Sequence, residues 1–202
     1  MIQPIGRGSQ NRGTLLLADI SGYTGFLTGV GEAHRALIIE AEEPPPAYAA
    51  LSGLLDAILA AIKPTFRLAK FEGDAIFAVE DGPLPHGPAI LDRVKACYEA
   101  FREQLGIARA QWTCTCSGCI RIGDLDLKFV LHHGDYVVHR IANQEELAGL
   151  DVIVAHRLLR TMPGTWSAID PTLCSRTPRS RRSRSRPRGC WPAWRPTTTC
   201  RP

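Results

Sequence analysis

Residues 15–27 read LLLADISGYTGFL, and residues 68–79 read LAKFEGDAIFAV. In the first, a continuous apolar run stops at Asp19; in the second, Asp74 follows a glycine between two apolar stretches. A continuous apolar run of this kind is expected as a strand buried on both faces, and a glycine–acid pair between two runs as the tight turn of a hairpin. Each segment therefore sets one carboxylate where a buried strand ends. Two such acids brought together repel, and each raises the pKa of the other unless a cation sits between them. Mg²⁺ and Mn²⁺ favour oxygen ligands of this type and leave positions open for phosphates. The bland alternative for either aspartate alone is an ordinary turn or strand-end acid.

Outward from these segments the chain alternates regularly. A strand is expected over residues 14–20, Gly22 opens a loop, and a helix begins near Thr24 and runs beyond His34. Pro44, Pro45 and Pro46 break what precedes them. Over residues 47–63, Leu51, Leu54, Leu55, Ile58, Leu59 and Ile62 recur at three and four residues, the pattern of a core-facing helix. Strands follow at 67–71 and 75–80, joined through Glu72, Gly73 and Asp74. A second long helix is expected over 88–105, stopped by Gly106. Leu125, Leu127, Phe129 and Leu131 then alternate as a strand ending at His132, His133 and Gly134, with 136–141 pairing back as a hairpin. A last helix covers 151–161. The order predicts an α+β fold, a mostly antiparallel sheet with helices packed on one face.

With 202 residues, 45% of them hydrophobic and 22% charged, the chain suits one globular core. The expected organisation is a disordered segment over 1–13, a folded domain over 14–163 and a disordered tail over 164–202. No apolar run approaches the ~20 residues that span a bilayer, and the first residues lack the apolar stretch of a signal peptide. A cytoplasmic protein with no membrane partner is expected.

The net charge of +4 conceals an uneven distribution. After Asp170 there is no acid, while nine arginines follow it, from Arg176 to Arg201. The remainder holds fifteen basic residues against twenty acidic ones, so the folded part is mildly acidic and nucleic-acid binding is expected only of the tail. That tail is rich in Arg, Pro, Ser and Thr without core-forming periodicity. It reads either as an arginine arm for phosphate backbones or as a shifted reading frame that replaces the native carboxy terminus.

Seven cysteines in a chain expected to be cytosolic argue against a disulfide framework. Cys114, Cys116 and Cys119, in CTCSGC, are close enough to hold one structural Zn²⁺, which wants four ligands. The fourth would be Cys97, on the preceding helix, or a histidine. The alternative is a turn of three reduced thiols without metal.

Taken together, ADISGYT, KFEGDA and the element order resemble the catalytic domain of the class III adenylate and guanylate cyclase superfamily over about Thr14 to Thr161, and within it an uncharacterised bacterial cyclase-like family with a cysteine cluster. The resemblance implies a ferredoxin-like cyclase sheet in which Asp19, the Ile20 carbonyl and Asp74 bind Mg²⁺ or Mn²⁺. It implies that Lys70 contacts a purine base with Glu146 as its acidic partner, that His132 and Gly134 belong to the strand end before the second hairpin, and that Arg157 steadies charge on the transferring phosphate. A purine nucleoside triphosphate would be cyclised to a 3′,5′-cyclic nucleotide plus pyrophosphate by a homodimer with shared sites. Two departures stand out. Ile153 occupies the position of the asparagine that orients the ribose in cyclases, which points to a degenerate nucleotide-binding or protein-interaction regulator as the alternative. The further strands that cyclases carry after the last helix give way here to the arginine tail, so an incomplete sheet edge is expected.

Overall fold

A computed structural model describes residues 9–41, 46–63, 65–141 and 144–161. Strand β1 (Ser9–Ser21) lies at the centre of a five-stranded antiparallel sheet of order β2-β3-β1-β4-β5. Its neighbours are β3 (Ala75–Asp81) and β4 (Asp126–Ile141); β2 (Arg67–Glu72) and β5 (Gln144–Ala148) form the edges. The hairpin between β2 and β3 turns through Gly73 and Asp74, with Glu72 paired to Ala75 and Gly73 at φ 68°, a conformation that glycine adopts without steric cost.

The central strand is apolar without interruption because both of its faces are covered. Leu16, Ala18 and Ile20 pack with α1 (Tyr23–Ala33), α3 (Pro46–Ile62) and α4 (Gly87–Gln111), through Phe26, Leu54, Ile58 and Phe101 among others. Leu15 and Leu17 face the other way, onto Val152 and Ala155 of α5 (Leu150–Thr161). The α+β antiparallel sheet is as expected, but α5 does not share one face with the other helices. A strand whose successive side chains alternate cannot bury three consecutive leucines against a single layer.

Other boundaries also differ. Strand β1 begins at Ser9 rather than at 14, inside the segment expected to be disordered, because residues 9–13 pair with Val138 to Gly134 of β4. Strand β4 is continuous from Asp126 to Ile141 and does not turn at His132, His133 and Gly134; the segment that pairs back on it is β5, with Val137 opposite Ala148. Gly134 serves a close approach instead of a turn. A Cβ there would collide with the carboxyl of Asp151, in the first turn of α5. Helix α4 passes Gly106 to reach Gln111, since Leu105 and Ala108 continue its buried face, and that packing outweighs the ~1 kcal/mol that glycine costs in a helix interior. The helix expected to run past His34 is broken there into α1 and α2 (Arg35–Ala41).

The two edge strands approach each other. Lys70 of β2 bonds Glu146 of β5 at 2.7 Å, and Arg67 faces Glu145 at 3.4 Å. Among the described residues, no helix is long and apolar enough to cross a membrane. Residues 1–8 and the arginine-rich tail lie outside the described residues.

Candidate functional site

The end of β1, the β2–β3 turn and the start of α1 enclose a concavity of about 350 Å³ lined by Asp19, Ile20, Ser21, Asp74 and Lys128 and by the first turn of α1. The sheet register accounts for the convergence. Asp19 sits opposite Ala75, so the turn residue Asp74 lands beside it, and the Ile20 amide donates to the Asp74 carbonyl at 3.3 Å. A strand residue presents its N–H and C=O to the same neighbour, so the Ile20 carbonyl belongs to the Asp74 side of β1. Burial, and then the nearby charge of Asp19, raise the Asp74 carboxyl above its ordinary value, although its own amide and Lys128 pull it down.

The donor set suits a hard divalent cation: two carboxylates, a strand-end carbonyl and a hydroxyl. Ser21 strengthens that fit. Its side chain is buried at the edge of the concavity, and its Oγ has no hydrogen-bond partner among the described residues. Lys128, directly opposite Asp19 in the register, places Nζ 3.5 Å from Asp19 Oδ2 and balances part of the acidic charge.

Lys70 and Glu146, assigned together from sequence, do meet; Lys70 also lies 3.3 Å from Glu72. Glu72 accepts from His156 Nε2 at 2.9 Å, and the His156 ring stands edge-on to Phe77 with centroids 5.2 Å apart. Arg157 follows His156 on α5 and is exposed, as is Ile153 at 49%. His132 bonds Asp151 at 2.7 Å, and the Asp135 amide donates to the other Asp151 oxygen at 2.8 Å. Against the effect of its own burial, these two donors hold the Asp151 carboxyl below the usual range.

The cysteine cluster forms a separate site. His34 joins Cys114, Cys116 and Cys119 in a group whose ligand atoms all lie within 4.8 Å of one another, an arrangement able to hold a metal ion. Of the two fourth partners expected, the histidine is present and Cys97 is not. Cys97 lies on the inner face of α4, fully buried, with Sγ 3.9 Å from the Ile58 carbonyl, and burial pushes its thiol up to about 12.

Residues 51–162 match a family described as a protein of unknown function, DUF2652. The chain belongs to that family. It is also 33% identical over 110 residues to the uncharacterized protein Rv2561/Rv2562 of Mycobacterium tuberculosis (strain ATCC 25618 / H37Rv). That match takes in 54% of this chain and 51% of the relative, so the chain spans about half the length of the curated protein it matches.

Solved structures similar to this DUF2652 chain include adenylyl and guanylyl cyclases and an adenylyl cyclase-like protein. The adenylyl cyclase CyaB from P. aeruginosa matches with a TM-score of 0.59 at 17% identity, over 78% of this chain and 76% of that one. A class III adenylyl cyclase-like ATP-binding protein from Pseudomonas aeruginosa matches with a TM-score of 0.58 at 18% identity, over 81% and 34%. The guanylyl cyclase Cya2 gives 0.54 at 19%, over 78% and 73%. At these identities the likeness establishes a cyclase-like fold.

Three residues of this DUF2652 chain escaped sequence reasoning. Lys128 sits among alternating leucines as an ordinary solvent-side position until the register puts it opposite Asp19. Ser21 differs in no local way from any serine before a turn. His34 carried one signal, a lone histidine in a helical stretch upstream of an incomplete ligand set.

Proposed function

We propose that this chain is a cyclase-like domain that binds a purine nucleoside triphosphate with Mg²⁺ or Mn²⁺ and forms a 3′,5′-cyclic nucleotide plus pyrophosphate. The observation that carries the reading is the convergence of Asp19 and Asp74 on one concavity beside the buried hydroxyl of Ser21, which has no hydrogen-bond partner among the described residues. Asp19, Asp74 and the Ile20 carbonyl hold the cation. When bound, the divalent ion supplies positive charge that favours ionisation of the ribose 3′-hydroxyl and steadies the triphosphate.

The chain's own groups do the positioning. Helix α1 opens at the rim of the concavity without a side-chain cap, and the first-turn amides of such a helix point at an anion. Lys70 and Glu146 read the purine base, as the cyclase resemblance implies. Arg157 offers a guanidinium to charge that builds on the phosphate as the 3′-oxygen bonds the α-phosphorus and pyrophosphate departs. A cytoplasmic homodimer completes the reading, and the exposed apolar side chains of Ile141, Leu150 and Ile153 support a partner surface.

Ile153 favours a second reading. Without a hydrogen-bonding side chain at the ribose position, the domain binds nucleotide and metal as a regulator and turns over little; losing one preorganised donor costs roughly 100- to 1,000-fold in rate. Incubating the purified chain with ATP or GTP and Mn²⁺ separates the two. Cyclic product that disappears in Asp19→Ala supports the enzyme; metal-dependent nucleotide binding without product supports the regulator. Absence of both binding and product overturns the proposal.

A further inference from the structure

His34 Nε2 lies 3.2 Å from Cys119 Sγ, 3.3 Å from Cys116 Sγ and 3.4 Å from Cys114 Sγ. Hydrogen bonding does not account for that convergence. A neutral imidazole nitrogen carries either one proton or one lone pair, so it satisfies one thiol and not three. A metal does account for it: Zn–N of about 2.0–2.1 Å and Zn–S of about 2.3 Å give a tetrahedron with edges of roughly 3.5–3.8 Å. The three nitrogen–sulfur separations, 3.2–3.4 Å, are close to the N–S edge of such a tetrahedron, and all four ligand atoms lie within 4.8 Å of one another.

The backbone is already shaped for thiolate ligands. The Cys119 amide donates to Cys116 Sγ at 3.3 Å, the Ile120 amide to the Cys116 carbonyl at 3.1 Å, and the Arg121 amide to the Gly118 carbonyl at 3.2 Å. This tight turn presents its sulfurs to one side. It is pressed onto α1 so closely that a Cβ at Gly118 would collide with the Gly29 carbonyl. His34 arrives from the break between α1 and α2.

We propose that His34, Cys114, Cys116 and Cys119 bind one Zn²⁺ in a closed Cys₃His site that clasps the α1–α2 junction to the loop after α4. Four protein ligands leave no open position, so the ion is structural. Three thiolates select zinc over the hard cations suited to Asp19 and Asp74, so the two sites take different metals. The clasp also bears on the concavity. Arg121, from the 3₁₀ helix Cys119–Asp124 that begins at a ligand, donates to the Gly25 carbonyl at 3.2 Å, and Gly25 lines the concavity. Zinc thereby fixes the helix whose first turn forms one wall of the acidic site.

The test uses the full chain, purified under reducing conditions without chelator, and zinc itself as the probe, so its outcome is independent of nucleotide chemistry. Elemental analysis is expected to find about one zinc per chain, and zinc-edge absorption three sulfurs and one nitrogen at the distances of a tetrahedral site. Cys116→Ser should lower the zinc content at least about tenfold. Because that variant bears on folding as well, His34→Cys supplies a second arm: it should keep zinc, and on Co²⁺ substitution its visible spectrum should shift from Cys₃His to Cys₄ character. Cys97→Ala should leave the metal content unchanged. A wild-type chain with reduced thiols that neither contains zinc nor gives a thiolate–cobalt charge-transfer band would overturn the proposal. So would a stoichiometric zinc that persists in both Cys116→Ser and His34→Ala.

Discussion

The Ile20 amide donates to the Asp74 carbonyl at 3.3 Å, joining the end of the central strand to the turn of the β2–β3 hairpin. Through that bond two acids far apart in the chain share one concavity, and the charge of Asp19 adds to burial in raising the Asp74 carboxyl. The electrostatics of the site follow from it.

Asp74 has its carboxyl raised, first by burial and then by Asp19. A raised carboxyl stabilises the fold while protonated; that contribution is present below the unfolded pKa and is lost as pH rises through the folded one. A divalent cation reverses the effect by favouring the ionised pair. The Mn²⁺-induced rise in melting temperature should therefore grow between about pH 4.5 and 7, and it should vanish in Asp74→Asn. An equal Mn²⁺ effect at both pH values, or in the variant, would count against a cation at this pair.

Lys128 holds its ammonium 3.5 Å from Asp19 and so competes with any cation there. Lys128→Met should tighten Mn²⁺ binding by roughly tenfold, equivalent to about 1.4 kcal/mol, as read by calorimetry. Weaker or unchanged binding would show that Lys128 does not oppose the ion.

Asp151 is pinned by His132 and by the Asp135 amide, in space left by the missing side chain of Gly134. Gly134→Ala forces that carboxyl out and should cost about 1–3 kcal/mol in denaturant unfolding. The lowered Asp151 pKa predicts a contribution present above the unfolded value and lost as pH falls through the folded one. Asp151→Asn should accordingly flatten the acid limb of the stability profile, and a profile identical to wild type would refute the assignment.

Lys70 has its pKa raised, chiefly by the hydrogen bond to Glu146. Its stabilisation is present below the unfolded lysine pKa and is lost as pH rises through the folded one. Both side chains are 35% exposed, so a double-mutant cycle should return a coupling of only about 0.2–1 kcal/mol. If the pair reads a purine base, Lys70→Ala should weaken nucleotide binding by at least about tenfold while the melting temperature barely moves. A large loss of stability with unchanged nucleotide affinity would make the pair a clamp between edge strands.

Much of the fold was legible because local side-chain patterns carry it. Three consecutive leucines before Asp19 announced a strand covered on both faces, and LSGLLDAILAAI announced a helix facing the core. The same local logic misjudged Gly134 and Gly106. Glycine marks a turn, a helix stop or a close approach with the same residue, and the difference lies in what packs against it: Asp151 at one position, a buried helix face continuing through Ala108 at the other.

Sequence alone determined the central apolar strand, the hairpin over 67–80 and the two long core-facing helices, that acids stand at two strand ends, and that three thiols cluster within six residues. Tertiary structure decided that Lys128 faces Asp19, that Lys70 meets Glu146 across the sheet edges, that α5 takes the second face and that His34, rather than Cys97, completes the thiol cluster. The physical reason is range. Burial periodicity is set by neighbours along the chain, whereas strand register and ligand geometry are set by contacts between segments whose separation in sequence carries no information about their distance in space.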